Sequence, residues 1–216
     1  LHDALPISIK LNNRKILTGI AEYIGEAEHI VDITVAIDKL DKIGIDNVNK
    51  ELLDRGLNAT SVEKLQPILG LTGDTYKKID DLSLILKDSE QGMLGISEMR
   101  YLFSIIDKLN LVNKVELDLT LARGLNYYTG TIIEIKSLDY SIGSISGGGR
   151  YDNLTGIFGM PGLSGVGISF GADRIYDALD GLELYPENLD ITTKVLFLNF
   201  GENEIKHILP LAWQLR

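Results

Sequence analysis

The sequence contains no cysteine, and its three histidines, His2, His29 and His207, lie far apart. The lack of cysteine excludes disulfides and thiolate metal sites, and it fits a reducing, cytoplasmic location. Because the histidines show no metal-ligand spacing, we predict no zinc site. No apolar run approaches the length of a membrane span and no signal-peptide pattern opens the chain, so we expect no membrane partner.

Positive charge is also scarce, since Asp and Glu outnumber Lys and Arg by 31 to 21 and the formal net charge is -10. This balance excludes a broad basic surface, so any nucleic-acid contact would be local and determined by shape. The 216 residues suffice for one large domain or two small ones. The chain begins without methionine and ends inside a predicted helix, and we expect it to be a piece of a longer protein.

Helical spacing dominates the first half of the chain. Residues 8–11 alternate as a strand does, and a helix over residues 15–24 follows, capped by Asn12 and Asn13. Residues 32–109 predict a small bundle of short amphipathic helices. The glycines expected to end helices are Gly44, Gly56 and Gly70, and the last helix is predicted over residues 96–109. Residues 1–7 fit neither pattern and receive no structural role.

Alternation of apolar and polar residues replaces helical spacing after Asn113. Strands are predicted at residues 115–121, 131–136, 141–147 and 164–169. Because short links join them, we expect an antiparallel sheet. A helix over residues 171–180 starts where a strand ends, residues 186–193 resemble a linker, and residues 194–199 predict a further buried strand.

Two arginines occupy positions suited to holding phosphate. Arg123 ends an alternating strand beside a glycine, where a guanidinium can donate two parallel hydrogen bonds. The alternative is a structural ion pair with an acidic neighbour such as Asp118. Arg174 opens a helix that leaves a strand, and there it can reach a polyphosphate lying over the sheet. Its alternative is a surface ion pair with Asp173 or Asp177.

Tyrosines and glycines surround these arginines in sequence. Tyr127 and Tyr128 are adjacent on a segment predicted to be extended, so their side chains should point to opposite faces. A hydroxyl on the ligand face would meet a ligand nitrogen, whereas the alternative is that both rings only pack. Three consecutive glycines, Gly147, Gly148 and Gly149, weaken a strand, which either close approach of a ligand or a bulge would explain. The run is neither a Walker loop nor a dinucleotide fingerprint.

Three segments have the order and spacing of a known family. RGLNYYTGTIIEI begins at residue 123, SISGGGRYDNL at residue 144 and GVGISFGADRIYDAL at residue 165. They resemble, in that order, the histidine-specific peptides and the third class II motif of histidyl-tRNA synthetases. The RGLxYYTG peptide is highly specific to that family and its close paralogues, and the resemblance covers residues 9–198. Many members carry aspartate where this chain has Asn126, a change that we expect to be tolerated.

The resemblance implies an α+β fold with the antiparallel sheet of class II synthetases, flanked by helices and interrupted by a small helical insertion domain. The catalytic core would comprise residues 1–34 and 113–187, and the insertion residues 35–112. Residues 188–216 would be a linker and the start of an anticodon-binding domain. The first two class II motifs, which build the dimer interface, would precede Leu1. We therefore expect a homodimer for the full-length protein and an inactive, aggregation-prone fragment for this chain alone.

The resemblance also implies an activity, in which L-histidine is activated with ATP and its accompanying Mg²⁺ to histidyl-adenylate and then transferred to tRNA(His). Arg123 would bind the α-phosphate and the histidine carboxylate and act catalytically by stabilising developing charge. Arg174 would bind the γ-phosphate, and the insertion domain would contact the tRNA acceptor stem. The implied histidine-binding residues are Arg123, Tyr127, Tyr128, Tyr151, Gly148 and Gly149, with Tyr128 and Tyr151 best placed for the imidazole. The implied ATP-binding residues are Arg174, Gly167 and Gly171.

Two other classes of protein carry related sequences. A regulatory paralogue binds histidine and controls ATP phosphoribosyltransferase, the first enzyme of histidine biosynthesis. Such a subunit needs no ATP, so the presence of both Arg123 and Arg174 favours the ligase. The other class is a synthetase-like domain in a kinase that senses uncharged tRNA, and the intact histidine-site peptides count against it.

Overall fold

A computed structural model of the chain describes residues 5–124, 127–185 and 195–215. The chain divides into two compact units, Leu1–Leu184 and Tyr185–Arg216. Its helices are α1 (Arg14–Ile24), α2 (Ile30–Ile37), α3 (Leu40–Asp54), α4 (Ala59–Leu69), α5 (Thr75–Ile85), α6 (Glu90–Ile106), α7 (Leu154–Ile157), α8 (Ala172–Gly181) and α9 (Glu202–Gln214). Its strands are β1 (Ile7–Asn13), β2 (Lys114–Leu117), β3 (Thr131–Ser137), β4 (Ser144–Tyr151) and β5 (Gly165–Phe170). Among the described residues, no helix has the length and apolarity needed to cross a membrane.

The first helix forms as its sequence predicts. The side chain of Asn13 accepts a hydrogen bond from the backbone amide of Lys15 at 2.9 Å, which satisfies an amide that has no partner inside the helix. Ile16, Ile20 and Ile24 recur at helical spacing and are almost completely buried. The predicted cap and the predicted apolar face of α1 are therefore confirmed.

Helix α6 begins at Glu90, well before the predicted start at residue 96. The preceding stretch contains Gly92 and Gly95, which favour a break when only the sequence is considered. In the fold, α6 crosses α1 at these glycines, and a Cβ atom placed on Gly19 of α1 would lie 2.5 Å from the Cα of Gly92. The predicted start was wrong because tertiary packing, and not helix propensity, selects glycine at this crossing.

The remaining helix breaks follow the glycine pattern. Gly44 interrupts α3 with a φ of 77°, and Gly56, with a φ of 96°, follows the end of the same helix. Val48 and Leu52 of α3 are buried, whereas Leu53 is 45% exposed. The buried face of α3 is narrow, because consecutive residues of a helix point in different directions and Leu53 falls outside that face.

One buried cluster joins α1, β1 and β2 to the helices α2–α6. Its members include Leu11, Ile20, Ile37, Leu52, Leu65, Leu82, Met99 and Leu117. The helical segment thus packs on the same core as the strand and helix that precede it. The domain boundaries at residues 35 and 112 stay predictions.

The five strands form one sheet in the order β2-β1-β3-β4-β5. The pairs β1–β3, β3–β4 and β4–β5 are antiparallel, but β2 runs parallel to β1. The sheet is therefore mixed, and the prediction of a wholly antiparallel sheet was wrong at this edge. The helices α1–α6 lie between β1 and β2 in sequence, and such a long crossover allows parallel pairing. The α+β class with helices flanking the sheet is confirmed.

Strand β2 stops at Leu117, although the alternating pattern predicts a strand to residue 121. The carboxylate of Asp118 accepts hydrogen bonds from the backbone amide and the hydroxyl of Thr120, at 2.9 and 2.6 Å. This local side-chain turn competes with the strand ladder. Leu119 and Leu121 are nevertheless buried, which is why the alternation continues beyond the strand.

Both ends of the described chain differ from the predictions. Leu5 is 1% exposed and packs with Ile145 and Ala178, so it has the structural role that was denied to residues 1–7. In the second unit, residues 195–200 form no strand, because none of the described residues pairs with them. The predicted linker, residue 194, residues 1–4 and Asn126 lie outside the described residues.

Candidate active site

The sheet has one apolar and one polar face, because side chains alternate along each strand. In β3, Ile133 and Ile135 pack into the buried clusters of the apolar face. Glu134 lies between them and points to the other side, which we call the polar face. Lys10 of β1 lies directly opposite Glu134 in the register of β1 and β3, so its side chain is on the same face.

Glycines form the floor of the polar face. Gly147 of β4 lies directly opposite Glu134. Gly149 pairs with Gly167 across β4 and β5, and Gly165 pairs with the residue two positions beyond Gly149. Because all four glycines point to the same face, no Cβ atoms rise above the backbone there, and other groups can approach it closely. This every-second-residue spacing was visible in GGG and GVG, although the sequence analysis did not use it.

The three consecutive glycines have separate explanations. A Cβ atom on Gly147 would lie 3.2 Å from Nη1 of Arg123, and one on Gly149 would lie 2.8 Å from Cδ1 of Tyr128. A Cβ atom on Gly148 would lie 2.2 Å from the carbonyl oxygen of Gly167 on β5. The three glycines therefore make room for the protein's own side chains and the neighbouring strand, and the predicted close approach of a ligand stays a prediction.

Arg123 is held by a buried carboxylate. Its Nη2 lies 2.9 Å from Oε1 of Glu134, whose side chain is only 8% exposed. The alternative partner, Asp118, instead pairs with Lys10 at 2.6 Å. The alternative of a structural ion pair at Arg123 was thus correct in kind, but the acidic partner is Glu134 and not Asp118. The Nη1 side of the guanidinium lies over Gly147, and Glu134 is its ion-pair partner among the residues that the structure describes.

Tyr127 and Tyr128 lie in a turn and not in an extended segment. Both backbone amides donate to the carbonyl of Gly124, at 3.2 and 3.0 Å, and the two rings contact edge to face with centroids 4.3 Å apart. The prediction that the rings point to opposite faces was therefore wrong. Gly124, with a φ of 65°, allows this turn.

The ring of Tyr128 is enclosed between Gly124 and Gly149, where added Cβ atoms would clash with it. Tyr127, in contrast, is 47% exposed. Burial, followed by interaction with the Tyr127 hydroxyl, raises the pKa of Tyr128 to about 12. The Tyr128 hydroxyl therefore keeps its proton at physiological pH and is able to donate a hydrogen bond.

Arg174 lies in the first turn of α8. Its Nη1 donates to the backbone carbonyl of Ser144 at 2.7 Å, and in the described part of the chain it forms no ion pair with Asp173 or Asp177. The backbone amide of Gly171 donates to the carbonyl of Ile145 at 2.8 Å, which ties the start of α8 to β4. Arg174 is therefore directed toward the sheet, as the ligand hypothesis requires.

These residues surround one cleft with a volume of about 560 Å³. The candidate residues that line it are Arg123, Tyr127, Tyr128, Gly148, Gly171 and Arg174. The other three, Tyr151, Gly149 and Gly167, share the polar face but do not line the cleft. The ring of Tyr151 lies over Gly167, and a Cβ atom on that glycine would be 3.5 Å from the Tyr151 hydroxyl. The volume is that of a small-molecule site.

Glu134 and Ser144 are two residues of the site that were not predicted from the sequence. Glu134 is the one charged residue in the run TIIEI, and a carboxylate in the middle of an apolar strand was the available signal. Ser144 carried no such signal, because its position depends on how β3 and β4 pair. A second cleft of about 360 Å³ adjoins the first and shares Arg123, Ser144 and Arg174 with it.

Comparison with known proteins assigns the family. The family model for histidyl-tRNA synthetase matches residues 3–175. Histidine–tRNA ligases of Bacteroides fragilis and Phocaeicola vulgatus are 62% and 59% identical over 92% and 97% of this chain, and the chain covers 44% and 46% of their lengths. The chain belongs to the histidyl-tRNA synthetase family. It spans about half the length of the curated relatives that it matches.

Solved structures agree with this assignment. The crystal structure of histidyl-tRNA synthetase from Nostoc sp. PCC 7120 matches 99% of this chain and 51% of its own chain, with 32% identity and a TM-score of 0.80. A Bacillus halodurans structure, described as an ATP phosphoribosyltransferase regulatory subunit/histidyl-tRNA synthetase, matches 82% of this chain and 45% of its own. At 18% identity and a TM-score of 0.68, that second match supports the fold alone.

Proposed function

We propose that the protein containing this chain is a histidine–tRNA ligase. In the first step a carboxylate oxygen of L-histidine attacks the α-phosphorus of ATP, the bond to the bridging oxygen breaks, and pyrophosphate leaves. In the second step a ribose hydroxyl of tRNA(His) attacks the carbonyl carbon of histidyl-adenylate and AMP leaves. The observation that carries the proposal is the convergence of Arg123, Arg174 and two tyrosines on one cleft with a glycine floor.

Arg123 is the proposed catalytic residue. Its free N–H groups would bind the histidine carboxylate and an α-phosphate oxygen together, bringing the nucleophile to the phosphorus. Negative charge grows on the phosphate oxygens as the bond forms, and a fixed guanidinium stabilises that charge without reorganising. The ion pair with Glu134 supports this role, because it limits the positions that the guanidinium can occupy.

The histidine pocket is proposed on the polar face beside Arg123. Tyr128, which lines the cleft, would donate a hydrogen bond from its hydroxyl to the unprotonated nitrogen of the imidazole. Tyr127 and Tyr151 would complete the pocket, with the backbone of Gly148 and Gly149 as its floor. A pocket that satisfies both ring nitrogens would discriminate against analogues that lack them by orders of magnitude.

Arg174 is proposed to bind the γ-phosphate of ATP. One of its nitrogens is bonded to the carbonyl of Ser144, and the other donors of the guanidinium remain for phosphate. The start of α8 would add the favourable field of a helix N-terminus, next to Gly167 and Gly171. Mg²⁺ would enter with ATP as part of the substrate, bound to its phosphate oxygens.

The family also supports the remaining proposals. The full-length protein would act as a homodimer in the cytoplasm, and the helical segment of residues 35–112 would contact the acceptor stem of tRNA(His). The regulatory alternative gains no support beyond a shared fold, because the relevant structural match is only 18% identical.

Two assays on the full-length protein test the proposed function. Histidine-dependent exchange of labelled pyrophosphate into ATP reports the first step, and charging of tRNA with labelled histidine reports the second. We expect both activities, and alanine or asparagine in place of histidine should support neither. Saturable histidine binding without exchange would contradict the ligase and indicate the regulatory class.

A further inference from the structure

A buried carboxylate organises the polar face. Glu134 sits in the middle of β3 with its side chain 8% exposed. It accepts a hydrogen bond from the hydroxyl of Ser144, pairs with Nη2 of Arg123 at 2.9 Å and lies 3.4 Å from Nζ of Lys136. A buried charge with several donors around it is held in one place, so Arg123 meets a rigid partner.

An irregularity between β3 and β4 brings Ser144 to this carboxylate. Ile135 pairs with Ser146 and Lys136 pairs with Ser144, so Ile145 has no partner on β3. With regular pairing Ser144 would point to the apolar face. The extra residue turns Ser144 to the polar face and leaves Ile145 in a buried apolar cluster with Ala178.

Ser144 also contacts the second arginine of the cleft. While its hydroxyl donates to Glu134, its backbone carbonyl accepts a hydrogen bond from Nη1 of Arg174 at 2.7 Å. Arg123 and Arg174 arrive from different parts of the chain, one after β2 and the other on α8. Three contacts in series link the two arginines: Arg174 to the Ser144 carbonyl, the Ser144 hydroxyl to Glu134, and Glu134 to Arg123.

We propose that Glu134 and Ser144 are positioning residues that fix Arg123 relative to Arg174. This inference rests on the proposed function, in which the two guanidinium groups bind different phosphates of one ATP molecule. Neither residue touches the reacting atoms. The pair acts by orientation, and a displacement of about 1 Å in a reacting group costs on the order of 100-fold in rate.

Glu134→Gln and Ser144→Ala in the full-length protein test the proposal, with Glu116→Gln as the matched control. Glu116 lies on β2, pairs with Lys114 at 2.7 Å and lines neither cleft. We expect Glu134→Gln to lower kcat of histidine-dependent pyrophosphate exchange by roughly 10- to 100-fold. The KM for ATP should change by less than kcat, because ground-state contacts of Arg174 are retained. The control should stay within about twofold of wild type.

Ser144→Ala separates the two contacts of that residue. It deletes the hydroxyl that orients Glu134 and keeps the carbonyl that accepts from Arg174. We expect a smaller fall in kcat than in Glu134→Gln, with the KM for ATP unchanged. This variant also tests the proposal if Glu134→Gln fails to fold, which thermal unfolding beside the control would reveal.

A second readout does not depend on activity. Phenylglyoxal modifies accessible guanidinium groups, and peptide mass spectrometry gives the rate at Arg123 relative to Arg150, which keeps its own partner Asp152 at 3.0 Å. We expect Glu134→Gln to raise that ratio several-fold. A folded Glu134→Gln variant with wild-type kcat and an unchanged ratio would overturn the positioning role. Absence of exchange in wild type would refute the proposed function, while the ratio would still decide the positioning role.

Discussion

Replacing Gly149 by alanine should both destabilise the fold and weaken histidine binding. The new Cβ atom would lie 2.8 Å from Cδ1 of Tyr128 and 2.7 Å from the carbonyl oxygen of Thr131. Ordinary contact begins at 3.4 Å, so the ring must retreat by about 0.6 Å (3.4 minus 2.8). Its other side is blocked by Gly124, where an added Cβ atom would lie 1.9 Å from the ring.

The expected magnitude follows from this confinement. Overpacking of this kind costs about 1–3 kcal/mol. Because each 1.4 kcal/mol is a factor of ten, a cost of this size expressed fully in the hydrogen bond of the Tyr128 hydroxyl would raise the KM for histidine by about 5- to 140-fold. The KM for ATP should change little, since Arg174 and α8 lie elsewhere in the cleft.

Steady-state pyrophosphate exchange on full-length Gly149→Ala is the assay, with Gly156→Ala as the control. A Cβ atom on Gly156 would meet nothing closer than 3.8 Å, so this variant should behave as wild type. If Gly149→Ala binds histidine normally and unfolds at the wild-type temperature, the ring of Tyr128 is not enclosed between Gly124 and Gly149.

Three further predictions concern stability. Gly19→Ala should lower the free energy of unfolding by about 1–3 kcal/mol, because its Cβ atom would lie 2.5 Å from the backbone Cα of Gly92. Unchanged thermal unfolding would contradict the close crossing. Burial alone would raise the pKa of Asp118, but the hydrogen bonds from Lys10 and Thr120 outweigh it and lower that pKa. The ionised carboxylate therefore stabilises the fold above the pKa of the unfolded chain, and that stability is lost as pH falls through the lowered pKa. Asp118→Asn should lower the free energy of unfolding by about 2 kcal/mol at pH 7, and its stability should fall less steeply with acid in chemical unfolding. Parallel pH profiles of the variant and wild type would refute the pairing of Asp118 with Lys10. The isolated chain should self-associate through the exposed apolar side chains of β5, and a monodisperse monomer in light scattering would count against this.

Local signals in the sequence were sufficient for much of the fold. The cap at Asn13 and the apolar face of α1 are short-range features, and the structure reproduces them. The helix start at Arg174 was also visible in its sequence neighbours, whereas the strand expected to end at Arg123 stops at Leu117. Both arginines line one cleft, and their roles stay predictions. The three glycines were expected to admit a ligand, but the groups that approach them in the structure are the protein's own.

The failures involve contacts between residues far apart in the chain. Gly92 favours a helix break until α1 is known to cross at that point. Ser144 reaches Glu134 only because β4 carries one residue more than β3 at the irregularity, and no single segment encodes that pairing. The parallel pairing of β2 likewise depends on the route of the chain through six helices.

The most direct test of the central claim is pyrophosphate exchange by full-length Arg123→Ala, compared with Arg150→Ala. Arg150 lies on the same sheet, is 47% exposed and forms an ion pair, but it does not line the cleft. We predict that Arg123→Ala lowers kcat/KM for histidine by at least about 100-fold while Arg150→Ala retains activity within a few-fold. Near-normal exchange by a folded Arg123→Ala protein would contradict the assignment of Arg123 as the group that binds both the carboxylate and the α-phosphate.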